Sequence, residues 1–307
     1  MKTELMKLRR WLKAVALVAA LTTVGAAQAQ IKVTATVGMV ADLVKQVGGD
    51  KVEVTGLMGP GVDPHLYKAT ASDVTKLRRA DVIFYNGLVL EGKMTDILTK
   101  LARSKRHVYA ITESVPESKL LEPAEFEGHY DPHLWFDVQL WSMCVDTVVA
   151  GLSAVAKRDA RHFSMRGRMV KSELKRLHAW AMAKANELPK ESRVLITSHD
   201  AYNYFGRAYG FQVVGLQGIS TVTEAGLADM AKLVDFIKQR KIKAIFVESS
   251  VSPTAIERIS KDAGVKIGGE LFSDAMGTPG QKEGGYDLGT YEGMIRHNFN
   301  TIVNALK

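Results

Sequence analysis

The sequence predicts an α/β protein of two lobes, each a four-stranded, mostly parallel sheet flanked by helices, joined by one long rigid helix. Three observations carry this. Short Val- and Ile-rich runs alternate with amphipathic stretches of helix length, the signature of βαβ units. The alternation occurs twice, over 31–111 and over 193–267. Between the two blocks, 138–187 contains no strand-like run.

In the first block the strand-like runs are 31–37, 52–57, 81–85 and 107–111, separated by helical stretches such as 39–48 and 70–79. In the second they are 193–197, 211–215, 243–247 and 264–267, with helical stretches 224–240 and 253–263. Between the blocks, Asp159 is placed to cap a continuous helix that ends before Pro189. Along it Phe163, Met165, Met169, Leu174, Leu177, Trp180 and Met182 recur at mainly helical spacings, with Arg, Lys and Glu filling the gaps. These apolar residues are assigned to packing against both lobes rather than to a cofactor. At 1.5 Å per residue, a helix over 160–187 spans about 42 Å, enough to run the length of both lobes. The expected divisions are a signal peptide at 1–29, an N-terminal lobe at 30–137, a helical connector at 138–188 and a C-terminal lobe at 189–307.

The N-terminus reads as a secretory signal. Lys2, Lys7, Arg9, Arg10 and Lys13 precede or flank an apolar run over 14–24, and Ala27-Gln28-Ala29 is a small-x-small cleavage signal. A run of eleven residues falls well short of the roughly 20 apolar residues that span a bilayer, so cleavage near Ala29 is expected, with Gln30 first in the mature chain. Arg9-Arg10 lacks the rest of a twin-arginine signature, which leaves general secretion. The single cysteine, Cys144, is mid-chain, so neither an anchoring lipid at the cleavage site nor an internal disulfide is expected. Removing 1–29 takes away five basic residues and Glu4, and the formal charge falls from +8 to +4 over 278 residues. That mildly basic surface holds no concentrated Lys/Arg block, so no nucleic-acid partner is expected.

Three histidines and one aspartate stand out, each in a short polar motif after an apolar run. The motifs are Gly59-Pro60-Gly61-Val62-Asp63-Pro64-His65, Asp131-Pro132-His133-Leu134-Trp135, Thr197-Ser198-His199-Asp200 and Leu271-Phe272-Ser273-Asp274. No two of the four residues lie within 60 positions, which excludes a local loop such as an EF-hand and requires a fold to gather them. In open α/β sheets functional groups collect at the carboxyl ends of strands, and all four sit there, two from each lobe. Three imidazoles and a carboxylate suit a borderline divalent ion, with zinc favoured over manganese by the three nitrogens. Four protein ligands leave little room for a reactive water, which favours binding over hydrolysis. A bidentate Asp274 would move the site toward five-coordination and make manganese more comfortable.

Second contacts to the imidazoles are expected from carboxylates nearby. Glu248, at the end of a strand, ranks first. Asp63, Asp131 and Asp200 are further candidates, although Asp63 and Asp131 precede prolines, where capping or turn formation is the favoured reading. His107, His162, His178 and His297 fall at a strand start or within helices and are assigned structural or exposed positions. His129, in the acidic loop 113–131 with Glu122, Glu125 and Glu127, is read as loop solvation, with ion capture as the alternative.

The four motifs, their order and the long intervening helix resemble the metal-binding solute receptors of zinc and manganese ABC importers, the cluster A-I type, over nearly the whole mature chain. Within that family the pattern is similar to the treponemal-type receptor with three histidines and an aspartate, whereas many manganese-selective relatives carry Glu where this chain has His199. The resemblance implies that His65, His133, His199 and Asp274 hold one Zn2+ or Mn2+ as cargo. It also implies a monomeric, non-enzymatic periplasmic carrier with small opening motions that delivers the ion to an ABC importer permease. The pattern departs from the family in three ways. The loop before His133 is short and holds only His129, unlike the long His-rich loop of dedicated zinc receptors. A lipobox cysteine is missing, which points to a Gram-negative periplasm. The C-terminal disulfide of some zinc members cannot form. Two rival readings are a secreted zinc hydrolase, for which no His-Glu-x-x-His or nucleophile elbow is found, and a metal buffer or adhesin without a transporter.

Overall fold

The computed structural model describes residues 29–126 and 128–307; the expected signal peptide lies, but for its last residue, outside them. Four parallel strands, β1 (Ile31–Ala35), β2 (Val52–Gly56), β3 (Val82–Tyr85) and β4 (His107–Ala110), form one sheet in the order β2-β1-β3-β4. Helices α1 (Gly38–Gly48), α2 (Ala71–Arg79) and α3 (Thr95–Arg103) make the crossovers. The buried faces are those that the Val- and Ile-rich runs predict, with Val33, Val82, Ile83 and Phe84 inside. At the start of α2 the Thr70 hydroxyl accepts the Asp73 amide while the Asp73 carboxylate accepts the Thr70 amide, a reciprocal cap that ends the long loop from β2.

The connector is two helices, α4 (Val138–Val155) and α5 (Ala160–Ala185), separated by a single 3-10 turn at Lys157–Asp159. The α4 helix is long and apolar enough to cross a membrane by length and composition, but it packs against α5 and the first sheet as a core helix. Asp159 stands at the N-cap of α5, yet its carboxylate lies 3.7 Å from Arg158 and makes no capping hydrogen bond. The 26 residues of α5 correspond to about 39 Å. Its buried residues are Phe163, Gly167, Val170, Leu174, Leu177, Ala181 and Ala185, a stripe of i+3 and i+4 steps. Met165, Met169 and Met182 fall off that stripe and are exposed, which corrects the expectation that they are core. At one end α5 donates from Arg166 Nε to Gln46 O at 2.8 Å; toward the other, Trp180 packs on Phe299, so the helix braces both halves of the chain.

The second half holds β5 (Val194–His199), α6 (Asn203–Tyr209), β6 (Gln212–Gln217), α7 (Leu227–Arg240), β7 (Ala244–Glu248), α8 (Thr254–Ala263) and β8 (Lys266–Leu271). A short antiparallel hairpin, β9 (Lys282–Glu283) and β10 (Tyr286–Asp287), precedes α9 (Tyr291–Leu306). The four long strands divide into two hydrogen-bonded parallel pairs, β5 with β6 and β7 with β8, and β5 lies beside β7. At the carboxyl end of that seam the His199 amide donates to the Glu248 side chain rather than to a strand carbonyl, so a side chain replaces a ladder bond.

Residues 31–307 pack as one unit, and the main core runs through both halves. Phe136 stacks on Tyr202 with ring centroids 4.2 Å apart, and Trp141 on Tyr291 at 5.4 Å. Gly151 of α4 presses on the first sheet so closely that an added Cβ would lie 2.7 Å from the Phe84 ring and 2.9 Å from Tyr109. Gly151→Ala sets two effects against each other, a helix-propensity gain of about 1 kcal/mol and an overpacking cost of about 1–3 kcal/mol. With rigid aromatic rings in the way, overpacking is expected to win, giving a net loss of up to about 2 kcal/mol by urea denaturation. A more stable variant would show that the rings can yield.

Candidate metal centre

The four singled-out residues come together. One ligand-type atom from each of His65, His133, His199 and Asp274 lies within 4.8 Å of the others, and all four residues are buried. His65 ends the Gly-Pro-Gly turn after β2; Gly61 there takes φ +70°, the left-handed region open to glycine. Asp63 Oδ1 accepts the His65 amide at 2.8 Å and closes the turn. His133 follows β4 through the loop 111–132, and Asp131 Oδ1 accepts its amide at 2.9 Å. His199 is the last residue of β5 and Asp274 lies three beyond β8. The stretch before Asp274 is fixed by Asn298 of α9, whose side chain accepts the Phe272 amide at 2.9 Å and donates to the Phe272 carbonyl at 2.7 Å.

Each of two imidazoles is held by a buried carboxylate. Glu248, ending β7, contacts His199 Nδ1 at 2.6 Å through Oε2 and accepts the His199 amide through Oε1. Asp131 Oδ1 lies 2.7 Å from His133 Nδ1. The turn assigned to Asp131 is present, and the same oxygen also grips the ring, the second of the two roles that the sequence offers for it. In neutral imidazoles the Nδ1–H donated to these carboxylates leaves Nε2 with its lone pair free to face the cluster. Asp200 Oδ1 accepts the Gly215 amide at 2.8 Å, within β6. Asp63 Oδ2 instead accepts the Thr221 hydroxyl at 2.6 Å. Asn298 and Thr221 carried no sequence signal, being single polar residues outside any motif.

The donor spacing has a recognisable scale. His65 Nε2 lies 3.3 Å from His133 Nε2 and 3.6 Å from Asp274 Oδ2. His133 Nε2 is 3.4 Å from Asp274 Oδ1, and His199 Nε2 is 3.3 Å from Asp274 Oδ2. For bonds of 2.0–2.1 Å, the edge of a zinc tetrahedron is about 3.3–3.4 Å. Both Asp274 oxygens and His199 Nε2 are buried without a hydrogen bond, aimed into a set of groups that a cation would satisfy. Burial opposes charge at every member. It wins at His65, whose pKa falls to about 3. At His133 burial is outweighed by Asp131 and Asp274, and the pKa rises to about 9. At His199 burial is outweighed by Glu248 and Asp274, which raise its pKa well above the usual value. Asp274 is likewise kept well below the carboxylate range against its burial, by His199 and His133. The centre therefore favours positive charge facing Asp274.

The other histidines lie elsewhere. His129 is exposed against the Phe126 ring, His107 is beside the Tyr109 hydroxyl, His162 meets Gly48 O, His178 meets the Tyr209 hydroxyl, and His297 meets Glu283 and Glu270 O. Cys144 is buried in α4, where burial pushes its thiol pKa up.

Comparison with known proteins agrees with this geometry. Residues 33–305 match the family model described as zinc-uptake complex component A, periplasmic. The chain is 48% identical over 286 residues to the manganese-binding lipoprotein MntA of Bacillus subtilis, covering 92% of this chain and 91% of that protein. It is 49% identical over 286 residues to the zinc-binding protein TroA of Treponema pallidum, covering 92% and 90%. The solved structure of the periplasmic zinc-binding protein TroA from Treponema pallidum superposes with a TM-score of 0.85 at 48% identity, covering 91% of this chain and 99% of that one. With the family model spanning nearly all of the described residues, the chain belongs to the periplasmic component A family of zinc-uptake complexes.

Proposed function

We propose that this protein is a non-enzymatic extracytoplasmic receptor that captures one divalent transition metal ion, zinc in preference to manganese, and delivers it to the permease of an ABC importer. His65, His133, His199 and Asp274 are the ligands, two from each of the lobes 30–137 and 189–307, with 138–188 as the connector between them. The observation that carries this is the convergence of four buried groups whose ligand-type atoms lie within 4.8 Å of one another, with four of the donor separations at 3.3–3.6 Å. Relatives of nearly equal identity are named for zinc and for manganese, so their names do not choose the ion. Three nitrogen donors favour zinc, and the affinity order of divalent ions acts in the same direction. Four protein donors fill a tetrahedral shell and leave no position for an activated water, which supports cargo binding over hydrolysis.

The carrier acts as a soluble monomer in a Gram-negative periplasm after cleavage near Ala29, without a nucleic-acid partner. Supporting the soluble form, the one cysteine is buried in α4, away from any lipid-attachment position, although the Bacillus relative is a lipoprotein. Delivery requires that loaded and unloaded forms differ in their free energy of interaction with the permease.

Calorimetric titration of demetallated protein, with elemental analysis, should show one ion per chain and zinc displacing manganese in competition. His199→Ala should weaken zinc binding by more than about 100-fold, beyond the loss typical of an outer contact. Binding indifferent to His199 would remove the assignment. Glu248→Gln and Asp131→Asn keep every ligand but disturb the ring orientation of His199 and His133, and each should weaken zinc by about 10–100-fold with an unchanged circular-dichroism spectrum. Wild-type affinity in either variant would show that the carboxylate serves only the local backbone.

A further inference from the structure

A shell of four buried donors poses a kinetic question, namely which part of it lets the ion out. The three histidines are not held alike. The rings of His133 and His199 are gripped at 2.7 and 2.6 Å by Asp131 and Glu248, both fully buried. The Asp131 segment is further fixed by the Tyr204 hydroxyl on Asp131 O and by Asn86 Nδ2 on Pro132 O. His65 is instead oriented through its backbone, by the Asp63 oxygen that accepts its amide.

The His65 turn is a stiff piece of chain. Pro60 and Pro64 fix two φ angles, and Gly61 supplies the left-handed corner. This piece is tied to the other half of the chain beyond the cluster by a hydrogen bond, and Gly61 sits near that half, where an added Cβ would lie 3.4 Å from Ser249 O, just past β7. Asp63 Oδ2 accepts the hydroxyl of Thr221, 158 residues away in the segment between β6 and α7. Thr221 is 7% exposed, while its neighbour Val222 is 63% exposed, so this hydrogen bond lies just beneath the surface.

Building on the metal-receptor reading above, we propose that the Asp63–Thr221 hydrogen bond is a catch that holds the His65 turn over the ion, and that breaking it controls the rate of metal release. One carboxylate does both tasks. Oδ1 sets the His65 backbone and Oδ2 ties that backbone to the opposite half, so movement of the 218–226 segment reaches a ligand directly. The bond forms in the closed state and is lost as the turn lifts, so it slows dissociation and leaves association nearly untouched. A hydrogen bond to an ionised group is strong enough to change a rate about tenfold or more.

The test is stopped-flow release of zinc from the full chain into a chromophoric chelator, with association measured in parallel. Thr221→Val should release zinc about tenfold faster with its association rate within about twofold of wild type, and Thr221→Ala, which adds no bulk beside the carboxylate, should match it. Thr221→Ser, which keeps the hydroxyl, should release at the wild-type rate. Wild-type release from both Val and Ala variants overturns the catch. So does a Ser variant as fast as Val, because the hydroxyl is then not the operative group. If the wild-type chain itself takes up no zinc, the receptor reading fails and the catch with it, a result distinct from normal binding with unaltered release.

Discussion

Three carboxylates, those of Asp131, Glu248 and Asp274, lie fully buried in a protein interior, and the rest of the centre is arranged around that fact. An ionised carboxylate in an apolar medium is strongly unfavourable unless paired and hydrogen-bonded. Asp131 and Glu248 meet the condition with protein groups alone, each taking one backbone amide and one imidazole of the same histidine. Asp274 does not, since both its oxygens lack a hydrogen bond and face imidazole nitrogens at 3.3–3.6 Å. Its charge is balanced only by positive charge among those nitrogens, which makes the cluster a cation site by electrostatics as well as by geometry. His65, the one ring whose pKa burial drives down, stays neutral and so remains a competent donor.

Holding those groups in place falls to aromatic residues whose polar tips reach backbone carbonyls beside the site, two of them across the halves. Trp135 Nε1 donates to Ser273 O at 3.1 Å, the Tyr291 hydroxyl donates to Trp135 O at 2.6 Å, and the Tyr202 hydroxyl donates to Phe272 O at 3.2 Å. Each ring fills core volume while its tip satisfies a backbone carbonyl beside a metal-site segment. The α5 helix braces the same two halves from behind, through Arg166 at one end and Trp180 toward the other.

Much of this was legible in the sequence because it depended on periodicity. Strand-like runs and the four strand-end motifs gave the α/β order and brought His65, His133, His199 and Asp274 forward, and Glu248 was visible as a carboxylate closing a strand. What stayed hidden depended on tertiary placement. Asp-Pro-His occurs at 63–65 and again at 131–133, and both aspartates close a turn on their histidine amide. Only in the fold does one carboxylate also grip its ring and the other reach Thr221. Met165, Met169 and Met182 looked like core because a loosely helical spacing cannot fix the phase of a stripe; the packing follows Phe163, Gly167 and Val170. The gap between β5 and β7 was equally unreadable, since the Glu248 oxygen that accepts the His199 amide at its carboxyl end belongs to a side chain placed there only by the fold.

The unequal grip on the three imidazoles also bears on ion choice. His133 and His199, locked by buried carboxylates, set a nearly fixed spacing, whereas the His65 turn is held by a backbone contact and one hydroxyl. Asp274 presents Oδ1 to His133 and Oδ2 to both His65 and His199, so its carboxylate can serve through one oxygen or two. A small ion suits the tetrahedral spacing as it stands. A larger ion that prefers more ligands is served by the second Asp274 oxygen and a slight retreat of the His65 turn, at the expense of the Asp63–Thr221 bond. In the proposed receptor, preference for a small ion and retention of the ion would thus draw on the same contact, and a change that loosens the turn would trade both away together.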